Sequence, residues 1–117
     1  MNYPIPVWPY TPYSSVWDTV YLSGQIGLDP ETMELEVSLW DQTHRVCSNI
    51  LWVCKELGID ISDICKTTIY ITNMQDFSKV NEIYGQYFSH KPARSCVGVQ
   101  ELPKGALVEI ECIAYKK

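Results

Sequence analysis

Residues 92–115 read PARSCVGVQELPKGALVEIECIAY. The β-branched and apolar content predicts two strands, 93–99 and 106–115, separated by a Pro–Lys–Gly turn at 102–105. The same stretch carries a conflict. Arg94 stands just inside one apolar run, and Glu109 and Glu111 stand inside the other. Strand side chains alternate between faces. Val108, Ile110, Cys112 and Ala114 therefore share one face, and Leu107, Glu109, Glu111, Ile113 and Tyr115 the other. The two glutamates point the same way, about 7 Å apart at Cα in a regular strand. Arg94 shares a face with Cys96, opposite Ser95, Val97 and Val99. An antiparallel connection through residues 100–105 would bring Arg94 beside a glutamate. Assembly across a subunit boundary would do so equally.

Upstream, the chain alternates helix and strand signals. Residues 1–18 are rich in Pro and aromatics, which denies a helix and favours extended or edge-strand structure. TVYLSG (19–24) reads as a strand. Asp29–Pro30 marks a turn, with a short second strand expected near Met33–Glu36. Residues 38–57 are the clearest helix. Ser38 and Asp41 form a start signal, Leu39, Val46, Ile50, Val53 and Leu57 recur at helical spacing, and Gly58 stops the run. ICKTTIYIT (64–72) is a β-branched strand. Residues 76–88 predict a second helix opened by Asp76, with Phe77, Val80, Tyr84 and Tyr87 or Phe88 turned inward. The expected order is β-β-α-β-α-β-β, an α+β fold with both helices on one face of a mixed sheet. The other face then needs cover, and in so small a chain a second subunit is the natural source.

Composition bounds the function. At 117 residues the chain fits one domain spanning 1–117, and 46% hydrophobic residues suffice for a core. The net charge is −5 and the nine basic residues form no stripe, which argues against a nucleic-acid surface. Five cysteines without a CxxC pair, and an amino terminus without a basic start or long apolar run, predict reduced thiols in a cytoplasmic setting. No stretch has the length of a membrane span. His44 and His90 lack partners at metal-ligand spacing, and no P-loop, GxSxG or dinucleotide fingerprint occurs.

Two readings of the charged strands stand side by side. One is a solvated face or structural ion pair. The other is an anion site, in which a guanidinium grips a carboxylate and a nearby Glu positions or deprotonates a water. Burial would raise the proton affinity of Glu109, and proximity to Arg94 would lower it.

Four segments together, YLSGQIGLDPETMEL (21–35), ICKTTIYITNMQDFSKVNEIYGQYF (64–88), PARSCVGV (92–99) and LPKGALVEIECIAY (102–115), resemble the RidA family, also called YjgF/YER057c/UK114 or endoribonuclease L-PSP. The resemblance runs from about Pro9 to Tyr115. It implies a chorismate-mutase-like fold, a homotrimer with sites between subunits, and hydrolysis of reactive enamines and imines such as 2-aminoacrylate to 2-keto acids and ammonia. It implies no cofactor and no metal.

By that resemblance Arg94 binds the substrate carboxylate and Glu109 holds the hydrolytic water. The backbone of Cys96 lines the site, Ser23 and Gly24 match the family's SGQ, Tyr10 matches its PY tyrosine, and Asn81 faces the site from a neighbouring subunit. Tyr13 is a competing match for Tyr10. Glu111 is assigned to structure between subunits. Lys91 before PAR and the added Pro and Trp near the amino terminus depart from the family pattern and bear on pocket size and substrate choice. The competing functions are a trimer that binds a 2-keto acid without turnover, and a ribonuclease or translation inhibitor. The acidic charge and the lack of a His/Lys acid–base pair argue against the last.

Overall fold

A computed structural model describes residues 3–117. Five strands and two longer helices follow in the order β1 Tyr13–Val16, β2 Thr19–Ile26, α1 Leu39–Leu57, β3 Ile64–Ile71, α2 Phe77–Tyr87, β4 Ala93–Gly98 and β5 Val108–Tyr115. The sheet order is β1-β2-β5-β3-β4. Only the β3–β4 pair is parallel, and α2 supplies the crossover such a pair requires. The last strand inserts at the centre, antiparallel to both β2 and β3.

The long helix forms as its sequence dictates. Ser38 caps it by accepting from the Asp41 N–H at 3.0 Å. Gly58 ends it at φ 72°, a left-handed conformation that glycine takes without a β-carbon clash, and its N–H closes back on the last turn. Val46, Ile50 and Val53 are fully buried, at the spacing the sequence displays. In α2, Val80 and Tyr84 turn inward, as does Phe88 just past its end, and the Tyr84 and Phe88 rings stack at 4.4 Å. Both helices cover the sheet face made by Val20, Leu22, Thr67, Ile69, Val108, Ile110 and Cys112. Thr67 is the polar member of that layer, and its hydroxyl meets the Tyr84 hydroxyl at 2.7 Å.

Several expectations change. The strand that accompanies TVYLSG before the first helix lies upstream of it, not downstream. Tyr13–Val16 pairs with β2 through a two-residue turn, with Trp17 at φ 56°. Met33–Glu36 is not a strand. Met33 takes φ 60°, and only the Leu28–Leu35 bridge pairs there. Asp76 does not cap α2 with its side chain. Asn73 caps a preceding 3-10 turn instead, accepting from the Gln75 N–H. Cys65 is exposed in a register shift of β3, whereas Cys47, Cys54 and Cys112 are buried, all as free thiols. Of the extended or edge-strand reading of residues 1–18, Tyr13–Val16 is an edge strand and residues 3–12 are irregular, with a tight turn at Trp8–Tyr10; Met1 and Asn2 lie outside the described residues.

No helix among the described residues is long and apolar enough to cross a membrane.

Candidate functional site

β5 presents Glu109 and Glu111 on the sheet face that the helices leave open. Glu109 stands opposite Ile26 on β2 and Tyr70 on β3. Between Leu22 and Gln25 the β2 register shifts, so Ser23 and Gly24 together oppose the single residue Glu111. Such a bulge re-aims the backbone without ending the strand. Gly24 leaves Glu109 its space: an added β-carbon would stand 2.6 Å from Glu109 Oε2.

The bulge also fastens the preceding segment. The Ser23 N–H donates to the Pro12 carbonyl at 2.9 Å, and its hydroxyl donates to the Thr11 carbonyl. Residues 4–10 then run past the open face and complete a cavity of about 520 Å³. Its polar wall includes Tyr10, Ser23, Gly24, Glu109 and Glu111, and Lys104 stands among its lining residues. Tyr13 does not join them. Its hydroxyl donates to Glu56 at 3.1 Å.

Glu109 is half-buried, and burial raises its proton affinity, with the negative charge of Glu111 adding to the effect. Glu111 accepts from the Tyr70 hydroxyl, a bond that with partial burial pushes the phenol up to about 12. Tyr70 thus stays a donor at neutral pH, and Glu111 is engaged.

Arg94 lies elsewhere. It pairs with Thr67 on β3, which pairs with Cys112 on β5, so its side chain emerges on the helix-covered face. There it donates to Asn81 Oδ1 of α2, and its guanidinium carbon lies 5.0 Å from the Tyr84 ring centroid and 5.5 Å from that of Phe77. Both rings present π faces to the cation, a setting that suits Arg. Cys96, on the same face, is half-buried, and burial pushes its thiol up more than Arg94 pulls it down.

Arg94 and Glu109 are therefore not neighbours across a β4–β5 hairpin. β3 separates their strands, and they are offset by roughly 10 Å across the sheet and roughly 10 Å along it, on opposite faces. One chain brings Tyr10, Ser23, Gly24 and Glu109 together, and separately brings Asn81, Arg94 and Cys96 together. The competition between burial and Arg94 over the proton of Glu109 does not arise within one chain, and burial governs.

Ile5, Trp8, Leu28, Met33 and Lys104 also line the cavity, and of these the sequence points to the pocket only through Trp8. The Pro and Trp of the amino-terminal segment were a visible signal, but only the fastening at Ser23 places them there. Among the described residues no group of three or more His, Cys, Asp or Glu is placed to hold a metal.

The fold and these two clusters define a small α+β protein whose open sheet face carries a cavity containing Glu109 and Glu111 and whose helix face carries an exposed arginine. The chain belongs to the endoribonuclease L-PSP family, whose profile matches residues 1–116, and thus to the RidA proteins that its sequence resembles. It is 42% identical to a RutC family protein of Pyrococcus abyssi, over 97% of this chain and 91% of that one. It is 43% identical to a 2-iminobutanoate/2-iminopropanoate deaminase of Dermatophagoides farinae, over 94% and 88%. Among solved structures, E. coli TdcF with bound serine superposes with a TM-score of 0.94 at 35% identity, over 99% and 94% of the two chains.

Proposed function

We propose that this protein hydrolyses reactive 2-imino acids, and the enamines in equilibrium with them, to 2-keto acids and ammonia. The observation that carries the reading is Glu109: a half-buried carboxylate with raised proton affinity, set in a cavity with room for a small acid. Arg94 supplies the complementary group, an exposed cation held by Asn81 and two rings. The deaminase name of the Dermatophagoides relative and the amino acid bound to TdcF support the same substrate class.

Arg94 would take the carboxylate through two parallel hydrogen bonds. Glu109 would accept a proton from water as the water oxygen bonds to C2 and the imine nitrogen takes up a proton. In the carbinolamine that results, the C2–N bond breaks and C2=O forms as protons pass through Glu109 to nitrogen. One water is consumed and one ammonia leaves, with no change of redox state. The imine is already electrophilic, so placement together with an acid–base contribution of roughly 10²–10⁴-fold suffices.

Because the two half-sites lie on opposite faces of one sheet, a site using both must draw Arg94 from one copy and Glu109 from another. Contacts between unlike surfaces close into rings, and the assembly proposed is a homotrimer with three such sites.

The test is subunit complementation. An amino-acid oxidase generates the imine, semicarbazide traps what escapes, and the protein is added as wild type, as Arg94→Ala, as Glu109→Gln, or as the two variants refolded together. Wild type should suppress the trapped product and each variant alone should not. The mixture should recover about a quarter of wild-type activity, since a site is intact only where each variant supplies its good half. Mixed variants that stay inactive would overturn the shared site, and a wild type without effect on any imine would overturn the activity.

A further inference from the structure

The cavity has an apolar wall that the proposed chemistry does not use. Ile5 and Trp8 contribute to it from the amino-terminal segment, and Ile26, Leu28 and Met33 from β2 and the loop after it. Trp8 is 71% exposed and Ile5 54%, although both line a concavity. Such large apolar groups normally enter the core.

The segment that carries them is built to hold still. Pro4, Pro6, Pro9 and Pro12 restrict its backbone. Tyr3 is buried and its hydroxyl donates to Glu56 on α1. The other end is fastened by the two bonds from Ser23 to Thr11 and Pro12. Between these anchors the Tyr10 N–H closes a tight turn on the Trp8 carbonyl at 2.7 Å. A segment without helix or strand is thus pinned at both ends, with an indole against the cavity that contains Glu109. A wall ordered in advance costs no ordering when a ligand arrives.

Resting on the imine-hydrolase reading, we infer that this strap is the specificity wall of the site, and that the preferred substrates carry a bulky apolar or aromatic side chain seated against Trp8 and Ile5. Polar groups that act on C2 and an apolar wall that takes the side chain belong to one cavity of about 520 Å³, larger than a three-carbon imino acid needs. Pyruvate-sized ligands leave the wall unfilled. Phenylpyruvate-sized ligands cover it.

Stable 2-keto acids probe this by titration calorimetry, independently of turnover. Wild-type protein should bind phenylpyruvate at least roughly tenfold more tightly than pyruvate, the size of discrimination an apolar pocket achieves. In Trp8→Ala the ratio should fall towards one, and Ile5→Ala should lower it in part. Equal affinities in wild type, a ratio unchanged in both variants, or no binding of either acid would overturn the wall. So would a change in oligomeric mass of Trp8→Ala by light scattering, since the indole would then serve a second copy of the chain. Arg94→Ala separates the two proposals. It should weaken both acids alike. If it binds both as wild type does while the Trp8-dependent ratio persists, the carboxylate role of Arg94 fails and the wall stands.

Discussion

Gly24 and Glu109 lie against one another across the β2–β5 pair, so closely that a β-carbon at position 24 would stand 2.6 Å from Glu109 Oε2 and 2.9 Å from its Cδ. The atoms in the way belong to the end of a side chain, not to backbone. Gly24→Ala should therefore leave the fold intact and push the carboxylate aside. The expected result is a fall in kcat of tenfold or more with a melting temperature close to wild type. A misplacement of about an ångström can cost on the order of 10²-fold in rate. Unchanged kcat would show that the glycine serves only packing.

Glu109 should leave its mark on both activity and stability. Its proton affinity is raised chiefly by burial, so the acid limb of the pH–rate profile should lie above the ordinary carboxylate range. Glu109→Gln should lower kcat by roughly 10²–10⁴-fold. The folded state binds this proton more tightly than the unfolded chain does. The stabilising contribution is thus complete below the unfolded pKa and is lost as pH rises through the folded one. Glu109→Gln should accordingly melt higher than wild type at pH 7, and the gap should close on acidification. Melting curves from pH 4 to 8 check the sign.

Asn81 accepts from Arg94 and so sets the orientation of the guanidinium. It is a positioning residue in the proposed mechanism. Asn81→Ala removes one hydrogen bond, worth about 0.5–1.5 kcal/mol, and should raise KM about three- to tenfold with little effect on kcat. Asn81→Asp, which keeps the acceptor, should hold Arg94 in place but compete with the substrate carboxylate, raising KM further. Equal KM in all three proteins would detach Asn81 from the site.

Gln42 joins three parts of the chain. Buried on α1, its Nε2 donates to the Glu36 carbonyl at 2.9 Å and its Oε1 accepts from the Leu107 N–H at 2.8 Å. The loop that includes Leu28 and Met33 is thereby tied to the start of β5. Gln42→Ala strands two backbone groups and should cost roughly 1–3 kcal/mol by urea denaturation. Asn49→Ala should act similarly, because Asn49 Nδ2 donates to the Leu28 carbonyl at 3.0 Å. If either variant proves as stable as wild type, these loops are held by packing alone.

Local physics was legible along the chain. The spacing of Val46, Ile50 and Val53, the Ser38 cap and the Gly58 stop delimit α1 without reference to anything distant, because helical hydrogen bonds are local. Alternation alone placed Glu109 and Glu111 on one face of β5 and Arg94 with Cys96 on one face of β4, because strand side chains repeat every two residues. The first strand is not legible, because the chemistry there is ambiguous. Met33 adopts a left-handed backbone that its residue type does not announce, while Tyr13–Val16 pairs within a segment whose prolines conceal it.

The sequence by itself determined the two long helices and four of the five strands, those begun at Thr19, Ile64, Ala93 and Val108, and which side chains each of these strands turns to the same side. Only the tertiary structure decided which strands pair. Partner choice depends on residues far apart in the chain, and a turn such as LPKG is compatible with more than one pairing. β5 enters between β2 and β3, β4 lies parallel beyond β3, and Arg94 and Glu109 thereby fall on opposite faces of one sheet. The bulge at Ser23–Gly24 and the strap it anchors have the same origin. They exist because β5 is there to pair against, and they build the cavity around Glu109.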